Sequence, residues 1–308
     1  MKLSVIIATM NRPDSLKRTL ESVKAQTINL EELIIVDQST DSRTKDIFDK
    51  FKSSINEKIQ TLKYFHQGLP SLVKARNKGI RECKSDIVCF IDDDIILFPD
   101  YFEKIEGYFE DESIGGITGN EILYKKPSGF KWHLRKMLMR MFLINNYQGK
   151  LTASTFGYPI FEEDINKVIP VEIFPGYSMN FRKKFLLNNE CDENLSGYSF
   201  REDIDLSYRI SRQTKLIIVP NARFMHEVST FNRLNIIELK KMQFQNYFYL
   251  FKKFRKSGIF SYVLFYYSIF GIILAAFLES ISNLKDRSKY LALRADINAI
   301  FYLIRESK

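Results

Sequence analysis

The stretch Ile87-Val88-Cys89-Phe90-Ile91-Asp92-Asp93-Asp94-Ile95-Ile96 decides how this chain is read. The unbroken apolar run 87–91 predicts a strand buried on both faces, as in the middle of a parallel sheet. It ends on three adjacent carboxylates. Crowded like charges raise one another's pKa unless a cation neutralises them. A hard divalent ion does this, and Mg²⁺ characteristically shares its shell between one or two carboxylates and substrate phosphates. If the backbone stays extended, Asp92 and Asp94 point the same way and can address one ligand. The plainer alternative is a solvated acidic turn capping the next helix.

Upstream, the same pattern repeats. Residues 3–8 form a continuous β-branched run, and after Thr9-Met10-Asn11-Arg12-Pro13 the apolar Leu16, Leu20 and Val23 recur at helical spacing. The segment 33–36 predicts a second buried strand ending at Asp37. Helices are expected over 44–51 and 71–83, and a short strand over 61–65. Strand-helix repetition with polar residues at the strand ends predicts an α/β fold with a mostly parallel sheet and ligands along that edge. Thr9, Asp37 and Asp92 to Asp94 all fall there. From about Gly115 the rhythm changes to mixed strands and irregular segments.

The chain has 308 residues, 45% hydrophobic and 27% charged, an ordinary globular composition with a formal net charge of +9. That charge fits an anionic partner of any kind: nucleic acid, an acidic membrane surface or a phosphorylated substrate. Cys83, Cys89 and Cys191 form no CxxC pair, and so sparse a set points to a reducing compartment. The opening residues are too short and too β-branched for a signal-peptide core, so the folded part is expected in the cytoplasm. Residues 131–145 are basic and apolar together. They read either as an amphipathic segment near a membrane or acceptor, or as a core-facing helix with a solvated basic side. Residues 259–278 contain no charge, reach the length of a membrane span, and follow Lys252, Lys253, Arg255 and Lys256. A membrane-associated segment is the expectation here. A hairpin turning near Gly271 and a helix buried in the protein are the alternatives.

The set Val5-Ile6-Ile7-Ala8-Thr9-Met10-Asn11-Arg12, Ile35-Val36-Asp37-Gln38-Ser39-Thr40-Asp41, Ala75-Arg76-Asn77-Lys78-Gly79 and Phe90-Ile91-Asp92-Asp93-Asp94 resembles the family 2 glycosyltransferases of GT-A fold, in order and spacing. Phe174-Pro175-Gly176-Tyr177-Ser178-Met179-Asn180-Phe181-Arg182 resembles their acceptor-side segment, and Arg201-Glu202-Asp203-Ile204-Asp205-Leu206 their E-D motif. The likeness covers residues 1–230. It implies a Rossmann-like α/β fold, a mixed, mostly parallel sheet flanked by helices. The catalytic domain would span 1–230 (nucleotide-sugar half 1–115, acceptor half 116–230), with a helical membrane-associating extension over 231–308.

The resemblance also implies roles. Thr9 and Asp37 contact the nucleotide base and ribose, with Asn11, Arg12 and Ser39 beside them. Lys74, Arg76 and Asn77 open toward the nucleotide, where Arg76 or Lys74 faces phosphate. Asp92 reaches the ribose or the metal, with Asp93 beside it, and Asp94 holds a Mg²⁺ or Mn²⁺ ion on the diphosphate. Asp203 is the general base for an inverting transfer, with Glu202 as the supporting acid. His226 completes the metal shell or is a structural histidine. The implied partners are a nucleotide-diphosphate sugar, a glycan or lipid-linked acceptor, and an anionic membrane at its cytoplasmic face. Nucleic acid is not expected. The Q-x-x-R-W motif of processive members is missing, with Ser207-Tyr208-Arg209-Ile210 in its region, so a single sugar is expected to be added. A nucleotidyltransferase acting on sugar phosphates competes, but usually needs a glycine-rich loop after the first strand, and residues 9–15 contain no glycine. A catalytically inactive membrane-bound adaptor of the same fold is the non-enzyme alternative.

Overall fold

The computed structural model describes residues 1–55, 57–122, 128–160, 165–195, 199–227, 235–255, 258–282 and 286–306. The expected boundary at 230/231 and the basic Lys256 lie outside them. In chain order the elements are β1 (Leu3–Thr9), α1 (Pro13–Lys24), β2 (Leu30–Asp37), α2 (Arg43–Ser54), β3 (Ile59–His66), α3 (Leu72–Glu82), β4 (Ile87–Ile91) and β5 (Ile95–Leu97). Then come α4 (Tyr101–Tyr108), β6 (Ile114–Glu121), α5 (Phe130–Met141), β7 (Ile169–Val171), β8 (Ser178–Arg182), α6 (Lys183–Leu186), α7 (Glu202–Ser211) and β9 (Lys215–His226). The helices α8 (Ile236–Phe254), α9 (Ile259–Ser282) and α10 (Arg287–Glu306) close the series.

By compactness the chain forms two units, residues 1–125 with 160–232, and residues 126–159 with 233–308. Segment 126–159, expected within the acceptor half, thus groups with the C-terminal helices.

The first unit is an α/β layer structure around one mixed sheet, ordered β3-β2-β1-β4-β8-β6-β9-β5, with β7 paired to β9. Strands β3, β2, β1 and β4 are parallel, and β8 then joins antiparallel to both β4 and β6. Side chains alternate across the sheet as a two-residue period requires. Val5 and Ile7 meet Leu16, Leu20 and Val23 of α1 on one face. Ile6, Ile34 and Val36 share the opposite face with Val73 and Ile80 of α3. The short strand β5 and helix α4 had no clear periodic signal.

Between β6 and β9 the register slips, Thr118 facing Ile218 but Asn120 facing Arg223. Pro220, which has no N–H to give a ladder, sits in that irregular piece.

In the second unit α10 packs on α8 and α9. An aromatic cluster binds the pieces: the Phe265 ring lies 4.6 Å from Phe251 and 5.5 Å from Phe156, centre to centre. Helix α9 runs unbroken through Gly271, so no hairpin turns there. A Cβ at that position would come within 2.3 Å of Phe142. Within α9, residues 259–281 are long and apolar enough to cross a membrane by length and composition, and only 22% of the most apolar part is buried, which sets aside a core helix. Over 131–145 the helical part α5 buries only Trp132, while Phe142, Ile144 and Asn145 just after it are buried.

Helix α3 lies close enough to β1 that a Cβ at Gly79 would sit 2.5 Å from Cγ2 of Ile6. Ile6 is β-branched and fixed in a central strand, so it has little freedom to yield. Gly79→Ala is therefore expected to lower the unfolding free energy by about 1–3 kcal/mol, as overpacked cores do. Urea denaturation measures it, and an unchanged midpoint would refute the close approach.

Candidate active site

The C-terminal edge of the parallel strands gathers most of the expected residues. Thr9 and Asp37 face each other in register at the ends of β1 and β2, and β4 delivers the acidic triplet beside them. The triplet is not extended. Ile95 N–H reaches back to the Asp92 carbonyl (3.3 Å), so the chain turns into β5. This turn separates the carboxylates in a way that strand alternation did not foresee.

Asp93 points inward. Thr9 Oγ1 donates to it (2.6 Å) and Arg12 Nη1 donates to its other oxygen (3.0 Å). Burial pushes its pKa up to about 7, against the opposing pull of Arg12 and Thr9. It therefore anchors the edge and is not open to a ligand. Asp94 lies 3.5 Å from Arg12 Nη1 and 3.3 Å from His226 Nε2. Burial alone would lower the His226 pKa, but the hydrogen bond and charge of Asp94, aided by Asp92 and Glu121, raise it. Glu121, at the end of β6, lies 4.0 Å from His226 Nδ1, an approach that the pairing of β6 with β9 brings about and no local sequence signal marks.

Asp37 is held rigidly: Ser39 N–H (2.8 Å) and the Tyr64 hydroxyl (2.5 Å) donate to its two oxygens. Burial, together with Asp37, pushes the Tyr64 pKa up and keeps that hydroxyl a donor. Asn11, with a positive φ of 55°, donates its N–H to Ser39 Oγ (2.8 Å) and accepts from Thr40 N–H (3.0 Å). Asn11, Ser39 and Thr40 thus lock the first two strand-end loops together.

Arg76 departs from the expectation that it faces phosphate. It is buried and donates from Nη1 to Glu202 and from Nη2 to Asp92 (3.1 Å) and the Gly176 carbonyl (2.6 Å). Asn77 also turns elsewhere. Its amide donates to the Cys191 carbonyl (2.9 Å) and Glu193 (3.1 Å) and accepts from Cys191 N–H (2.8 Å), holding that loop. Lys74 is exposed on α3 and is not drawn into this cluster.

Helix α7 begins at Glu202 after Ser199 and Arg201, both at positive φ (54° and 72°). Burial pushes Glu202 up to about 8 even with Arg76 opposing it, and its Oε2 has no partner among the described residues. Asp203, next along, is half-buried, and burial raises its pKa too. A Cβ on Gly176 would stand 3.2 Å from Asp203 Cβ and 3.3 Å from Glu202 Oε1, so a glycine there leaves the two acids room. The acids of the E-D motif and those of the triplet therefore meet at one place, joined by Arg76.

Among the described residues no group of three or more His, Cys, Asp or Glu side chains stands ready to enclose a metal. The donors nonetheless suit a cation completed by a ligand's own oxygens. Asp94 and His226 are in contact, and Asp92 is more than a third exposed. Carboxylate with imidazole suits Mn²⁺, and Mg²⁺ needs only one or two carboxylates when phosphate supplies the remainder.

A family model described as Glycosyl transferase family 2 matches residues 4–184, more than half of the chain. Among curated proteins, the chain is 29% identical over 136 residues to a glucosyl-dolichyl phosphate glucuronosyltransferase of Haloferax volcanii, covering 42% of each. It is 30% identical over 146 residues to the amylovoran biosynthesis glycosyltransferase AmsE of Erwinia amylovora, covering 46% of this chain and 52% of that one. These matches span about half the length of those relatives. Among solved structures it resembles the mannosyltransferase PcManGT from Pyrobaculum calidifontis in complex with GDP-Man and Mn²⁺, with a TM-score of 0.55 at 15% identity, covering 100% of this chain and 88% of that one. Residues 1–349 of S. aureus TarS give a TM-score of 0.55 at 13% identity, covering 97% and 81%. At such identities these likenesses bear on the fold, which is that of GT-A proteins.

Arg76→Ala would leave Asp92 and Glu202 without their cation, an outcome that typically costs about 3–5 kcal/mol when the pair is buried. Guanidinium denaturation is expected to show a loss of that size. A loss under about 1 kcal/mol would place the pair in the range of exposed ion pairs and refute its burial.

Proposed function

Since this chain belongs to glycosyl transferase family 2, we propose that it moves one sugar from a nucleotide diphosphate to a hydroxyl, with inversion at the anomeric carbon. The observation that carries the reading is the meeting of two acid groups at one edge: Asp92, and Asp94 with His226, on one side, Glu202 and its neighbour Asp203 at the start of α7 on the other, with Arg76 bridging Asp92 to Glu202. We assign the catalytic domain to residues 1–230 apart from segment 126–159, which joins the membrane-associating extension 231–308.

The donor's nucleotide lies along Thr9, Asn11, Arg12, Asp37 and Ser39. Asp37 is kept in place by Tyr64 and Ser39 and offers a fixed acceptor at the end of β2. Asp92, Asp94 and His226 would hold the divalent cation, which when bound neutralises the charge that grows on the departing diphosphate. Asp203 takes the proton from the acceptor hydroxyl while that oxygen attacks the anomeric carbon from the face opposite the diphosphate. The new C–O bond forms as the bond to phosphate breaks, and the diphosphate leaves with the electron pair. A carboxylate raised by burial is a stronger base than an exposed one, which suits a very weakly acidic hydroxyl. Glu202 is bound to Arg76 and acts by setting the charge around Asp203. The acceptor is a glycan or lipid-linked saccharide, and the enzyme works at the cytoplasmic face of an anionic membrane. The amylovoran and dolichyl phosphate relatives support that assignment, as does the apolar helix α9.

Asp203→Asn is expected to cut transfer by about 10²–10⁴-fold, the usual contribution of a general base. Cation-dependent donor binding, measured by calorimetry, should persist; normal turnover would remove Asp203 from the base role. Asp94→Ala is expected to weaken donor binding in Mn²⁺ while leaving the residual binding in EDTA unchanged. An undiminished response to Mn²⁺ would sink the ligand assignment.

A further inference from the structure

Two helices of the second unit expose apolar side chains where a soluble helix would expose polar ones. On α5 these are Phe130, Leu134, Met137 and Met141, with Phe130 82% exposed. Their spacing of three and four residues puts them on one face, and Lys131, Arg135 and Arg140 stand among them, exposed. On α9 the exposed series is Ile259, Val263, Phe270, Phe277 and Ile281, while Phe265, Ser268 and Ile269 on another face are buried in the protein. The two stripes adjoin. Phe142, directly after α5, has its ring centre 5.0 Å from Tyr267 and 5.9 Å from Phe270.

We propose that the second unit docks on an anionic lipid bilayer with α5 and α9 lying in the plane of the interface, and that α9 does not cross. The proposal rests on the membrane part of the reading above and specifies its mode.

Length does not decide the matter, because 24 helical residues reach about 36 Å, enough for a hydrocarbon core of about 30 Å. The attachments of α9 do. Ser268, in the middle of the helix, has its Oγ within hydrogen-bonding distance of the Phe142 carbonyl (2.7 Å) and of Ser154 Oγ (2.8 Å). The segment it grips, 143–157, has neither helix nor strand, and Gln148 on it is exposed. A crossing helix would carry that segment to the bilayer centre, where lipid-exposed irregular backbone does not occur. It would also carry α10, whose Arg287 and Arg294 are exposed. Lying flat, α9 sinks only its exposed stripe, and both attachments stay at the water side. The choice of an anionic surface follows from charge: Lys131, Arg135 and Arg140 on α5, Lys252 and Lys253 at the end of α8, and a chain of net charge +9.

The test uses the full chain with Val263→Cys, Phe270→Cys or Phe277→Cys, each labelled with an environment-sensitive dye. Cys83, Cys89 and Cys191 are buried and leave the introduced thiol as the reactive one. With phosphatidylglycerol-containing vesicles, nitroxide lipids should quench all three labels at one shallow depth. Neutralising a basic residue of α5 should weaken binding roughly fivefold, and added salt should weaken it further. A graded profile with residue 270 deepest would overturn the flat docking while keeping membrane attachment. Labels indifferent to vesicles, or shielded in a sedimenting dimer without them, would overturn the lipid assignment. Donor hydrolysis in the same samples separates these failures: a level depth profile with no hydrolysis in the wild type leaves the docking standing and removes the catalytic reading.

Discussion

Arg76 is the constraint on which the site depends. One guanidinium reaches the end of β4 through Asp92, the start of α7 through Glu202, and the intervening chain through the Gly176 carbonyl. Asp92 lies 16 residues from Arg76 in sequence, Gly176 100 and Glu202 126, and only a planar fork of several donors satisfies them together. The alternative states are costly, because Glu202 and Asp92 would face one another across a partly dry site with nothing between them. The α3 helix that carries Arg76 is pressed onto β1 at Gly79, so the cation's position is referred directly to the sheet.

Around that cation the acidic triplet divides its labour by direction. Asp93 is drawn inward to Thr9 and Arg12, which fixes the turn after β4. The same turn leaves Asp92 partly exposed and sets Asp94 against His226. Three neighbouring carboxylates are tolerable because basic groups are spread among them: Arg76 at Asp92, Arg12 between Asp93 and Asp94, and His226 at Asp94.

The half of the chain that carries the parallel strands was largely legible from the residues. Uninterrupted β-branched runs marked β1, β2 and β4, and polar strand ends marked the edge, since both signals are local. What was missed depends on long-range pairing. Helix α3 looked like a phosphate-facing element, yet Arg76 and Asn77 are turned toward segments near 176 and 191, whose proximity no spacing announces. Strand β5 is three residues long, too short for a period to register. Glu121 became relevant only through the pairing of β6 with β9. In α5 the apolar period was visible, but whether its apolar face met protein or water was not a local property.

The slipped register between β6 and β9 also bears on what holds His226 in place. Asp203 and His226 sit on consecutive elements, α7 and β9, and they serve opposite sides of the proposed transfer. Were β9 a regular strand, inserting or deleting one residue along it would turn His226 to the other face of the sheet. The irregular piece around Pro220 is where such a change in length can be absorbed before Phe224 to His226 pair with β5. A change in length at this bulge leaves Phe224 to His226 in register with β5, whereas one between Arg223 and His226 would carry the imidazole away from Asp94.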